Sequence, residues 1–225
     1  MGPVVPAMAS LVQDVWLGWE PRLRARRLGP WEEPSARVIF HLDAGTTLND
    51  PLLAGFLDLL ASRLEVIACE PRGQGGSGGR LGPEVVADAR RLMEESPRRW
   101  GDGRSVLLGG LGLGAWLALA TADGAGVVGA FALAPSRAAA GPAGPEPGPL
   151  RAALEAALTR PPLAVPTLVV EERDAAETET AAVAEWRARE PLASRMQVAG
   201  AHVLAPPVAA AVAAWAEAVG RGARG

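Results

Sequence analysis

Asp174 and His202 are the residues of this chain whose types and order are best suited to chemistry. Each follows a short apolar run of β-forming residues, so we expect both in loops at strand ends. A histidine that a neighbouring carboxylate orients can act as a general base. The pair therefore predicts proton-transfer chemistry, with the alternative that His202 is hydrogen-bonded and inert while Asp174 pairs with an arginine.

Two glycine-rich turns follow other apolar runs. The segment Leu107–Ala120, LLGGLGLGAWLALA, has the pattern of a strand, a tight turn and a helix, and the loop EPRGQGGSGG follows Cys69. Glycine relieves the backbone strain of such turns. In open α/β sheets, ligands bind outside the carboxyl ends of the strands. We therefore expect these turns and the Asp174–His202 pair to converge on one edge of a sheet.

The composition excludes several cofactor and metal chemistries. The chain has no lysine, so it can form no Schiff base with pyridoxal phosphate and has no P-loop lysine. Its histidines are His41 and His202 and its one cysteine is Cys69, which rules out an internal disulfide and a zinc site of Cys and His ligands at motif spacing. We predict no cofactor and no metal.

The charge balance and the termini bear on partners and location. The net charge is only −3 and 49% of the residues are hydrophobic, which favours a folded chain with no attraction to nucleic acid or to anionic membranes. No signal peptide and no membrane span is predicted. We expect a cytoplasmic protein, of bacterial origin from its alanine-, glycine- and proline-rich composition, with a small-molecule ligand or substrate and room for a protein partner.

The hydrophobic pattern predicts one α/β domain over residues 11–221, with a disordered N-terminus (1–10) and a loose tail (222–225). Predicted strands cover 11–19, 22–28, 36–42, 65–69, 105–108, 126–134, 166–170 and 195–198. Predicted helices cover 51–63, 83–95, 115–122, 151–159, 176–190 and 207–219. The first helix is expected to have Asp50 as its N-cap and to place Leu52, Phe56, Leu59 and Leu60 on one face. This alternation predicts a mostly parallel central sheet with helices on both faces and an antiparallel N-terminal edge hairpin.

From about Trp16 to Val219 the chain resembles the α/β-hydrolase superfamily. The loop 70–77 is similar to the family's D-x-R-G-x-G-x-S turn, and 110–114 is similar to its G-x-S-x-G nucleophile elbow. The family's order of nucleophile, acid and histidine is kept. The resemblance implies an α/β-hydrolase fold in which Asp174 and His202 are the acid and base of a triad, and in which His41 is structural.

The chain departs from this pattern at two positions. The elbow serine is replaced by Gly112, which cannot form an acyl-enzyme. The family usually has His-Gly where Leu42 and Asp43 follow His41 here, and backbone N–H groups of that loop and of Leu113 are expected to form the oxyanion hole. We therefore expect Leu42, Asp43 and Leu113 to line a pocket around the vacant nucleophile position, where an Asp43 carboxylate would disfavour a developing oxyanion.

Three functions are compatible with these residues. The first is a degenerate hydrolase, or pseudoenzyme with a degenerate catalytic triad, that binds a small ligand or a partner without covalent catalysis. The second is an enzyme in which Asp174 and His202 form a general base for hydrolase, lyase or cyclase chemistry without an acyl-enzyme. The third is an esterase-like hydrolase with a displaced nucleophile such as Ser77 or Ser136. A dinucleotide-binding interpretation of the Gly110–Ala115 turn is disfavoured, because no acid ends the next predicted strand.

Overall fold

A computed structural model describes residues 11–17, 20–30, 34–100, 103–135, 147–173, 177–199 and 202–223. The predictions of a disordered segment 1–10, and those on Ser136 and Asp174, lie outside these residues.

The described residues form an eight-stranded sheet with the order β1-β2-β4-β3-β5-β6-β7-β8. The strands are β1 Leu11–Leu17, β2 Leu23–Gly29, β3 Arg37–His41, β4 Glu65–Cys69, β5 Val106–Leu111, β6 Val127–Leu133, β7 Thr167–Glu172 and β8 Ala193–Val198. Strand β2 pairs antiparallel with β1 and β4, and the remaining neighbours are parallel. The predicted mostly parallel sheet with an antiparallel N-terminal edge hairpin is confirmed.

Helices cover both faces of this sheet. They are α1 Pro51–Ala61, α2 Val85–Trp100, α3 Leu113–Thr121, α4 Pro147–Leu158, α5 Glu177–Ala188 and α6 Pro206–Gly222. One hydrophobic core lies between the sheet and α2 to α5, and a second lies between the sheet and α1 and α6. Every residue of β3, β4 and β5 is buried, as expected for parallel strands covered on both sides.

Helix α1 confirms one prediction and corrects another. The Asp50 side chain accepts hydrogen bonds from the N–H groups of Leu52 and Leu53, so it caps the helix as predicted. The predicted inner face was wrong at Leu52 and Leu59, which are 61% and 37% exposed. The buried face consists of Leu53, Phe56, Leu57, Leu60 and Ala61. A helix this rich in leucine has more than one apolar stripe, and its packing on α6 and the sheet selects between them.

Two helix ends differ from the prediction, and each lies near a proline. Helix α2 was predicted to stop at Glu95 but continues to Trp100, and Pro97, which has no backbone N–H to donate, does not end it. Helix α4 begins at Pro147, four residues before the predicted start at 151, because proline suits the first turn of a helix. No helix of the described residues is long and apolar enough to cross a membrane.

Candidate active site

The turn between β5 and α3 has the strained geometry expected of a nucleophile elbow. Gly112 connects the strand to the helix with φ 57° and ψ −115°, a region that residues with a Cβ rarely adopt. Helix α3 then lies so close to β3 that a Cβ on Gly114 would be 2.0 Å from the His41 carbonyl oxygen. The sequence therefore keeps the elbow turn although its side chain is absent.

The Asp43 carboxylate lies beside this turn. Its Oδ1 accepts a hydrogen bond from the Leu113 N–H at 2.7 Å and another from the Ala44 N–H at 2.8 Å. One donor opens the elbow helix and the other belongs to the loop after β3, which are the two places from which an oxyanion hole draws its N–H groups. Both distances lie within the range of a working hole. A carboxylate oxygen of the chain itself thus sits between these two donors.

The same carboxylate fills the space of an elbow side chain. A Cβ built on Gly112 would be 2.2 Å from Asp43 Cγ and 2.3 and 2.5 Å from its two oxygens. Any side chain at position 112 would therefore require the Asp43 carboxylate to move. The glycine at the elbow and the aspartate after β3 depend on each other, and this relation is not visible in the sequence pattern.

The loop that carries Asp43 is tied to the glycine-rich loop after β4. The Gln74 side chain accepts from the Gly45 N–H at 3.0 Å. The fully buried Glu70 carboxylate accepts from the N–H groups of Leu48 and Gly76 at 3.0 and 2.7 Å. These bonds fix the backbone that follows Asp43, so its position does not depend on its own contacts alone.

His202 lies at the same edge of the sheet, in the loop between β8 and α6. Its side chain is 53% exposed, and its Nε2 is 3.9 Å from Glu172 Oε1 at the end of β7. The same oxygen accepts from the Val203 N–H at 3.2 Å. The sequence did not single out Glu172, because it follows the predicted strand 166–170 and is one of several neighbouring acids. The predicted Asp174–His202 contact lies outside the described residues and stays a prediction.

The orientation of the His202 ring is opposite to that of a triad base. Its Nδ1 accepts a hydrogen bond from the Leu204 N–H at 3.2 Å, so in the neutral ring the proton is on Nε2, which faces Glu172. A triad base needs the reverse, with Nδ1–H donating to the acid and Nε2 accepting from the nucleophile.

The other candidate residues have structural contacts. Ser77 Oγ accepts from the Arg24 N–H at 2.8 Å and donates to the Glu70 carbonyl at 2.9 Å. Both hydrogen bonds are structural, and neither involves a histidine that could act as a base. Arg72 makes two hydrogen bonds to Asp88, which raise the pKa of its guanidinium. Burial raises the pKa of the Cys69 thiol to about 12, which leaves it protonated and unreactive.

His41 and the elbow region provide no metal centre. The His41 ring is buried, and desolvation lowers its pKa to about 4, so the ring is neutral near pH 7. Within the part of the chain that the structure describes, no group of three or more His, Cys, Asp or Glu side chains could hold a metal ion.

Neither a protein-family model nor a curated protein sequence matches this chain. Solved structures do match. A serine hydrolase homologue from Coxiella burnetii is 20% identical, with a TM-score of 0.67 over 93% of this chain and 96% of that chain. Est1E from Butyrivibrio proteoclasticus is 10% identical, with a TM-score of 0.72 over 92% and 98%. Mouse alpha/beta hydrolase domain-containing protein 10 is 16% identical, with a TM-score of 0.69 over 92% and 98%. At these identities the likeness establishes a shared fold.

Proposed function

We propose that this chain, which has the α/β-hydrolase fold, is a degenerate hydrolase that binds a small ligand or a partner without covalent catalysis. The observation that carries the proposal is the Asp43 carboxylate, whose Oδ1 accepts from both Leu113 N–H and Ala44 N–H beside a glycine elbow. The proposal therefore does not depend on the missing serine alone.

Acyl transfer would be blocked at two separate steps. Without a side chain at Gly112 there is no nucleophile on the elbow. An oxyanion above the elbow could not bind the Leu113 and Ala44 N–H groups, because the Asp43 carboxylate already accepts from both. Loss of a single donor in an oxyanion hole slows catalysis by about 10²–10³. Two negative charges within about 4 Å also repel each other by several kcal/mol at the effective dielectric of a protein surface.

A direct test uses a serine-directed alkyl phosphonate on four proteins: wild type, Gly112→Ser, Asp43→Ala and the double variant. We expect wild type and Asp43→Ala to remain unlabelled, because they have no hydroxyl at position 112. Gly112→Ser should be labelled only slowly, since its displaced Asp43 carboxylate stays next to the elbow, and the double variant should be labelled fastest. Labelling of the wild type would exclude the proposal. Labelling of Gly112→Ser at the rate of the double variant would show that Asp43 does not block the hole.

Ligand binding is tested separately. A set of small amines, carboxylates and neutral amides is screened by the rise in Tm of the wild type, and each hit is repeated on His202→Ala. A ligand at this edge of the sheet should lose much of its effect in that variant, since His202 is exposed there. A screen in which no compound raises Tm favours a protein partner instead.

A second candidate is the enzyme that uses His202 as a general base without an acyl-enzyme. It is favoured by the exposed ring of His202, whose Nε2 lies 3.9 Å from Glu172 Oε1 at the end of β7. To act as a base at Nε2, the ring would have to release the Leu204 N–H and carry its proton on Nδ1 instead. If a reaction is found, this candidate requires that His202→Ala and Asp174→Asn each abolish it.

A cytoplasmic location belongs to the same proposal. It is supported by the single cysteine, Cys69, which is buried and makes no disulfide.

A further inference from the structure

A small cavity lies between β3, β4 and α2, on the opposite side of β3 from the core formed by α1 and α6. Its volume is about 10 Å³. Its polar lining comes from His41, Cys69, Glu70, Arg72 and Asp88, and apolar side chains of α2 and α3 close it. The cavity is independent of the elbow, and the function proposed above makes no use of it.

His41, one of the residues that line this cavity, carries an unsatisfied polar atom. The residue is only 4% exposed, and its buried Nε2 has no hydrogen-bond partner among the described residues. Burial of a ring nitrogen without a partner is unfavourable, because the nitrogen gives up its hydrogen bond to water. Native proteins rarely leave such an atom unpaired, and a bound water is a common solution.

We propose that the cavity holds one ordered water molecule that is hydrogen-bonded to His41 Nε2. The volume is close to the minimum that one water requires and is too small for an organic ligand. A buried water also needs two or more polar partners, and the polar residues Cys69, Glu70, Arg72 and Asp88 line the same space.

This water would act as a structural part of the fold. His41 is the last residue of β3, paired in register with Cys69 on β4, and it comes two residues before Asp43. Arg72 is held to α2 by Asp88. A water between the His41 ring and the Arg72–Asp88 pair would connect the end of β3 to the loop after β4 and to α2. It would thereby help to hold His41, after which the loop that carries Asp43 begins.

The deciding experiment is a crystal structure of the wild-type protein at about 1.5 Å resolution or better. We expect a water peak within about 2.7–3.2 Å of His41 Nε2 that also contacts a second polar atom of the cavity wall. An empty cavity, or a direct hydrogen bond from Nε2 to a protein atom, would overturn the proposal.

A solution measurement provides an independent check. Water-proton relaxation dispersion counts waters with long residence times, and we expect His41→Phe to lose one relative to the wild type. His202→Phe is the matched control, because it removes the exposed histidine and should lose none. An equal count in wild type and folded His41→Phe contradicts the proposal, and if His41→Phe does not fold, the wild-type crystal structure decides alone.

Discussion

The dependence between Gly112 and Asp43 makes a quantitative prediction about stability. A serine at position 112 would place its Cβ 2.2 Å from Asp43 Cγ, so the carboxylate must leave the Leu113 and Ala44 N–H groups. The serine must also adopt a positive φ of 57°. Two costs are therefore expected, one from the backbone and one from the displaced carboxylate.

Their sizes follow from these contacts. A side chain held in this backbone region costs about 1–3 kcal/mol. Hydrogen bonds to a charged group are worth about 1.5–3 kcal/mol each, but Asp43 is half-buried and regains water when it moves, so we take about 2–3 kcal/mol for the pair. Gly112→Ser should lower the free energy of unfolding by about 3–6 kcal/mol, and Asp43→Ala by about 2–3 kcal/mol through the same two bonds.

The double variant shows whether Gly112→Ser and Asp43→Ala lose stability through the same hydrogen bonds or independently. Because both single variants lose the same hydrogen bonds, the double variant loses them once, and its destabilisation should be about 2–3 kcal/mol smaller than the sum of the two. Urea unfolding of the four proteins at pH 7 measures this coupling, provided that the m-values agree. Gly112→Ala is the control for the hydroxyl and should behave like Gly112→Ser. Additivity to within about 0.5 kcal/mol would refute the reasoning.

Three further predictions concern the scaffold, and each is measured by urea unfolding. Asp50→Ala removes the N-cap of α1 and should cost about 1 kcal/mol, whereas Asp58→Ala on the exposed face should be nearly neutral; equal costs would contradict the capping role. Glu65→Gln neutralises a fully buried carboxylate that binds three arginines and should cost about 3–5 kcal/mol, against less than about 0.5 kcal/mol for the exposed Glu155→Gln. His41 has a folded-state pKa of about 4, below its ordinary 6.5, so the unfolded chain binds the extra proton as pH falls from 6.5 to 4 and stability declines in that window by about 3 kcal/mol. His41→Phe should remove that decline, and an unchanged pH dependence would show that His41 does not cause it.

The layout of the fold could be predicted from the sequence because the strands are short apolar runs and the turns carry strong signals. Glu65–Cys69 was predicted with its observed bounds, and the elbow turn was located by its glycines. Errors occurred where pattern alone decides between similar alternatives. The leucine stripes of α1 are one case, and the prolines at the ends of α2 and α4 are the other.

The site could be predicted only in part, because its main contact joins residues far apart in the chain. Asp43 was expected to line the pocket and to disfavour an oxyanion, and the structure places it between the expected donors. Its overlap with the space of an elbow side chain required coordinates. The His202–Glu172 approach was missed for the same reason, since nothing local in the sequence ranks Glu172 above its acidic neighbours.

The geometry also changes how the glycine at the elbow is interpreted. If a serine had simply been lost, the two N–H donors would face solvent and restoring the hydroxyl would restore the site. Here Oδ1 of Asp43 satisfies both donors, and the absence of a Cβ at Gly112 is what gives the carboxylate its space. A stable contact at this point requires both residues together, because Asp43 with a serine elbow is crowded and Gly112 without Asp43 leaves two donors without a protein acceptor. The pair therefore acts as one structural unit, and an argument about the function of this chain has to treat the two residues jointly.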